Sequence, residues 1–217
     1  MIMEVLHATN ILVHIVAGSA ALLTGMIALI ARKGTRLHRQ LGKMFLLLLV
    51  IVITTGLLGV FVFGRNTFLL IVTVLSGYMG FSGYRVVHNK SNQPKILDVC
   101  IGLLAISTVG YVLYYFRSIG MIWSPVVMYS SVGYLVCMVT WDFIRYLIPA
   151  AVYTKANLWL YEHILKMISA FSGLLSAFSG TVLSQYQPHS QYLPGLLCWL
   201  IIIGFWIYNY RKKLTVV

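Results

Sequence analysis

Seven apolar runs, each about the length of a bilayer-crossing helix, constrain this chain more than any other feature of its sequence. A bilayer's hydrocarbon core is about 30 Å thick, and a helix needs roughly twenty residues to cross it. The runs lie at about Asn10–Ala31, Met44–Phe63, Thr67–Val87, Ile96–Phe116, Ile122–Ile144, Leu158–Leu183 and Leu193–Tyr210. The second and third are divided only at Gly64-Arg65-Asn66. Inside hydrocarbon every backbone N–H and C=O must be paired within the protein, so runs of this length read as α-helices. Composition agrees: 60% of the residues are hydrophobic and 9% charged, where a soluble domain carries about 25% charged residues. Four acids cannot solvate a water-facing surface of this size. The fold class is all-α, a polytopic bundle in one membrane domain spanning 1–217, with the lipid bilayer as its main partner.

The cations set an orientation. Arg32, Lys33, Arg36, Arg39 and Lys43 fall in the first connection and Arg85, Lys90 and Lys95 in the third. Arg145 and Lys155 fall in the fifth, and Arg211, Lys212 and Lys213 in the tail. Only Arg65 and Arg117 lie in the opposite connections, and Lys166 lies within the sixth run. Positively charged loops stay in the cytoplasm, so seven spans put the N-terminus outside and the C-terminus inside. The net charge of +12 is therefore no sign of a nucleic-acid partner. Such loops also attract anionic lipid headgroups.

Cys100, Cys137 and Cys198 form no CxxC motif and sit in apolar runs, which reads as small buried hydrophobes rather than a redox centre. The first run is too long for the core of a cleavable signal peptide. Small residues crowd the third run, at Ser76, Gly77, Gly80, Ser82 and Gly83. The sixth has Ser169, Ser172, Gly173, Ser176, Ala177, Ser179 and Gly180. They let helix backbones approach closely, which matters where lipid supplies no hydrophobic drive for association. Trp123, Trp159, Tyr161 and Trp206, near run ends, suit interfacial anchoring.

Polar side chains at membrane depth are costly and mark candidate sites. His14 lies about a turn into the first run, ahead of Gly18 and Gly25, the spacing with which an axial histidine leaves room for a porphyrin. His38 sits between Gly34 and Gly42 in what reads as a structured basic loop. His163 and Met167 are four apart, hence on one helical face, as are Glu162 and Lys166, which can form an ion pair near the lipid boundary. Asp142 and Arg145, three apart, can pair likewise. With Glu162, His163 and His38 they gather toward the cytoplasmic side, a grouping that suits a proton relay, a metal site or a substrate site. His14 falls toward the other side. No HExxH, GxSxG, Walker or dinucleotide motif occurs, no region reads as a nucleotide-binding domain, and no repeat relates two halves.

Two stretches carry a family resemblance. His14-Ile15-Val16-Ala17-Gly18 through Gly25, followed by Lys33-Gly34 and His38-Arg39-Gln40-Leu41-Gly42-Lys43, resembles the opening of the bacterial membrane-protein family called domain of unknown function 2306 (DUF2306). Trp159, His163 and Met167, leading into Ser176-Ala177-Phe178, look like its second hallmark. The resemblance implies a multi-pass protein of the bacterial inner membrane, marks His14, His38, His163 and Met167 as motif positions, and supplies no reaction. The leading expectation is a redox or haem-associated protein, with His14, His38 and His163 as candidate ligands for haem b. The alternatives are a small-solute or proton transporter using Asp142, Arg145, Glu162 and His163, an accessory protein whose histidines brace helices, and a metal-dependent lipid-modifying enzyme. The sequence leaves enzymatic activity, bound metal and oligomeric state open.

Overall fold

The structure is a computed structural model that describes residues 2–64, 68–93, 95–119 and 124–214. Arg65 and Asn66, which divide the second and third runs, lie outside the described residues, as does Trp123. Among the described residues eight α-helices follow one another and no strand occurs. They are α1 (Ile2–Ile30), α2 (Arg36–Phe61), α3 (Phe68–Asn89), α4 (Ile96–Ile119), α5 (Pro125–Ile144), α6 (Ala150–Lys155), α7 (Leu158–Val182) and α8 (His189–Leu214). All but the six-residue α6 are long and apolar enough to cross a membrane. The chain is thus an all-α bundle of seven membrane-spanning helices.

Several helices outrun the apolar stretches that announce them. Helix α1 begins at Ile2 rather than near Asn10, and α2 at Arg36 rather than Met44. Hydropathy registers only the part of a helix that lies in hydrocarbon, whereas α2 starts with a basic turn. Its N-cap is Thr35, in extended backbone, whose hydroxyl accepts a hydrogen bond from the His38 backbone N–H at 3.3 Å. His38 is therefore helical and not part of a loop. Helix α5 starts later than Ile122, at Pro125, and a first-turn proline loses no helix hydrogen bond. The 145–157 connection is ordered too: a 3-10 turn at Arg145–Leu147, then α6, then Asn157 in the left-handed conformation ahead of α7.

Helices α3 and α7 form the centre. Their most apolar windows are 56% and 50% buried, against 22% to 33% for the other spans, so the outer helices present their apolar faces to lipid. Around this pair, α1 packs on α2, α2 and α4 on α3, α5 on α4 and α8 on α7. The small residues explain the centre's tightness. A Cβ on Gly173 would overlap the Ser76 hydroxyl, and one on Gly83 would lie 3.0 Å from Lys166 Cβ and 3.1 Å from Met167 Sδ. A Cβ on Gly25 would meet Phe171 at 2.7 Å, which joins α1 to α7. Trp206 donates its indole N–H to the Tyr161 carbonyl at 3.2 Å, so this pair fastens α8 to α7 besides lying near the helix ends. Of the cysteines only Cys198 is buried; Cys100 and Cys137 are exposed on the apolar outside of the bundle, because their helices are peripheral.

Candidate functional site

Four ionisable side chains from two helices and a turn close into one ring inside the bundle. Asp142 comes from the last turn of α5, Arg145 from the 3-10 turn after it, and Glu162 and Lys166 from successive turns of α7. All are at most 6% exposed, and Lys166 is fully buried. Lys166 Nζ contacts Asp142 Oδ1 and lies 3.2 Å from Glu162 Oε2. Arg145 Nη1 donates to Glu162 Oε2 at 2.8 Å, while its Nε lies 3.3 Å from Asp142 Oδ1. Each cation thus touches both carboxylates, and the ring carries no net formal charge.

The two acids are held unequally. Asp142 uses both oxygens: Oδ1 faces the cations, and Oδ2 accepts from the Tyr78 and Ser82 hydroxyls of α3, each at 2.7 Å. Glu162 meets both cations through Oε2, with the Tyr153 hydroxyl beside the carboxylate, and its Oε1 is buried without a well-formed hydrogen bond. Tyr153 of α6 closes the basic end by accepting from Arg145 Nη1 at 3.2 Å. Burial and then the Glu162 charge push its phenol above the usual tyrosine pKa, so it stays protonated. Asn92 secures the turn that carries Arg145 by donating to the Arg145 and Ile148 carbonyls.

One face of α7 runs on from this ring. Glu162, Lys166, Ser169, Gly173, Ser176 and Gly180 follow at spacings of four and three, which keep them on one side of a helix. A cavity of about 670 Å³ opens along the same face between α5 and α8. Ser169, Ser172, Gly173, Ser176 and Gly180 line it from α7, Ser130, Ser131 and Tyr134 from α5, and Gln191, Cys198 and Trp199 from α8. At its inner end Tyr134 and Ser169 share a hydrogen bond of 2.6 Å, one helical turn from Lys166. The cavity's other end lies beside Gln187, at the end of the bundle opposite the basic loops.

The candidate histidines are divided between the two ends. His14 Nδ1 and the Thr55 hydroxyl of α2 share a hydrogen bond of 2.8 Å. His38 donates Nδ1–H to the Ala28 carbonyl at 2.9 Å, and Lys33 Nζ meets the Ala28 and Leu29 carbonyls. Both close the open carbonyl end of α1, which accounts for an imidazole in this basic turn. Burial holds the Lys33 ammonium below its usual pKa. His163 donates Nδ1–H to the Gly83 carbonyl at 3.1 Å, and Met167, on the same face, packs against Gly83. His38 and Lys33 lie near enough to His163 to be felt electrostatically. His14 is remote from them, since the fourteen residues from His14 to Ala28 span about 21 Å of helix.

No family model matches the sequence, and neither a curated protein nor a solved structure gives a match. The resemblance drawn from the two sequence motifs therefore rests on those motifs alone. Among the described residues no three His, Cys, Asp or Glu side chains group as metal ligands.

Of the residues singled out from sequence, the structure brings Asp142, Arg145 and Glu162 together. Met167 and His163 turn toward Gly83, and His38 toward α1. Helical spacing predicts for Lys166 a local ion pair near the lipid boundary; it is instead the innermost member of the ring, because α3 and α5 cover that face of α7. Tyr78, Ser82 and Tyr153 were not singled out as site residues. Tyr78 and Ser82 left a signal, two hydroxyls four apart in an apolar run. Tyr153 left none, since α6 is too short to show a period.

Proposed function

We propose that this protein is a membrane transporter for a proton or small polar solute, which crosses along the polar face of α7. The observation that carries this reading is the ion ring lying one turn from a large cavity on that face. A buried ion pair is seldom worth more to stability than apolar residues of the same volume, so packing alone gives no reason for four charges here. Ionisable groups facing a bundle's interior are characteristic of substrate and proton pathways. The charge asymmetry of the loops supports an orientation with the basic end in the cytoplasm, where Arg32, Arg36 and Arg39 would meet anionic headgroups, and the motif resemblance supports a bacterial inner membrane. In liposomes the purified protein is expected to raise proton or solute flux above that of protein-free vesicles. Glu162→Gln is expected to lower net flux about tenfold, which corresponds to ~1.4 kcal/mol on the barrier. Unchanged flux in the variant removes Glu162 from the path, and no protein-dependent flux overturns the reading.

A second reading is favoured by one observation at the basic end. His38 and His163 both give Nδ1–H to a backbone carbonyl, which leaves Nε2 as the ligating nitrogen of each neutral ring. On this reading they hold haem b. Protein purified from haem-replete cells would then show a Soret band that weakens in His38→Ala and His163→Ala; a folded, colourless preparation counts against it.

A further inference from the structure

We propose that the transported solute is a small organic anion that moves together with one proton, and that Glu162 is the group that takes the proton. The inference rests on the transport reading and adds the substrate's chemical class. It follows from how the ring balances its charge. Asp142 and Glu162 together face Arg145 and Lys166, two negative charges against two positive in a site closed to water. A proton added alone would leave a buried cation uncompensated, which is strongly unfavourable. An anion added alone would leave the opposite imbalance. One proton and one monoanion together leave the ring neutral.

The unequal hold on the acids decides which carboxylate is exchanged. Asp142 has both oxygens engaged by Lys166, Arg145, Tyr78 and Ser82, and acts as the fixed counter-ion. Glu162 has one oxygen in the ring and one without a well-formed hydrogen bond. The charged and titratable groups facing it are Arg145 from the turn after α5, Tyr153 from α6, Lys166 from its own helix and, across the two cations, Asp142 from α5. Tyr146 stacks beside Arg145, its ring centre 5.3 Å from the guanidinium carbon. Protonation turns the Glu162 carboxylate into a neutral acid, with no other bond made or broken. Arg145 Nη1 and Lys166 Nζ are then free to donate to the arriving anion, and Asp142 and the anion now balance the two cations. Loss of the proton restores the Glu162 contacts and expels the anion. The cavity suits such a solute: apolar side chains such as Val72, Leu75 and Trp199 alternate with serine and glutamine side chains along it, and the Tyr134 and Ser169 hydroxyls stand at the end nearest the ring. An apolar wall with a few placed polar groups is the usual make-up of a small-molecule site.

The test uses the wild-type protein in liposomes, with radiolabelled pyruvate as the anion, glycerol as a neutral probe and methylammonium as a cation. An acid-outside pH gradient is expected to drive protein-dependent pyruvate accumulation of up to about tenfold per pH unit, the limit for one proton per anion. Clamping the membrane potential with valinomycin and potassium is expected to leave that accumulation unchanged. Glu162→Gln, neutral like the protonated acid, is expected to lose the response to the pH gradient. Transport of glycerol or methylammonium without pyruvate overturns the anion inference and leaves the transport reading standing. Pyruvate uptake driven by potential and indifferent to pH overturns the coupling. No protein-dependent movement of any probe overturns both readings. The wild-type measurements decide these outcomes even if the variant fails to fold.

Discussion

Replacing Lys166 with methionine is expected to destabilise the protein by about 3–5 kcal/mol, the usual result of removing one partner from a buried ion pair. Lys166 has no exposed surface, and without it Asp142 and Glu162 share the single charge of Arg145. Methionine conserves most of the side chain's volume, so the loss reports charge rather than a cavity. The sharper expectation concerns the double variant. Lys166→Met combined with Glu162→Gln leaves Asp142 and Arg145 as a balanced pair, and should be more stable than Lys166→Met alone. Thermal unfolding of detergent-purified protein, followed by intrinsic fluorescence, measures both. A double variant less stable than the single one would mean that the ring does not act as one charge-balanced unit.

Gly83→Val is expected to force α3 and α7 apart. A Cβ there would lie 3.0 Å from Lys166 Cβ, an atom fixed to the α7 backbone that cannot swing aside. Helices α3 and α7 would have to separate, at the 1–3 kcal/mol typical of overpacking, and the His163–Gly83 hydrogen bond would stretch as they did. Gly110→Ala is the matched control. Nothing lies within 4 Å of a Cβ at Gly110, and alanine suits a helix interior better than glycine by about 1 kcal/mol, so the control is expected to hold or gain stability. Melting temperatures in one detergent compare the two. Equal effects would show that close approach of α3 and α7 does not limit stability.

Lys166 and Gly83 meet neighbours distant in sequence, which separates what is legible in the chain from what is not. The Glu162–Lys166 and Asp142–Arg145 pairs were legible because helical periodicity alone puts residues three or four apart side by side. Their merger into one ring was not, because it depends on which faces of α5 and α7 meet. The small residues of α3 and α7 announced a close contact, while Gly83 opposite Lys166 had to be seen in three dimensions. His38 was misplaced for a related reason: hydropathy is blind to a helix's polar first turns, so a basic helical start reads as a loop.

The seven membrane-spanning helices were determined by the sequence itself, since bilayer thickness and the need to pair every backbone polar group leave an apolar run of about twenty residues one solution. The meeting of charges was decided only by tertiary structure. Lys166 became the innermost of the ring's cations, and Glu162 the loosely held acid, through the packing of α3, α5 and α6 around α7. That packing depends on side-chain shape at each interface, which no local pattern in the chain encodes.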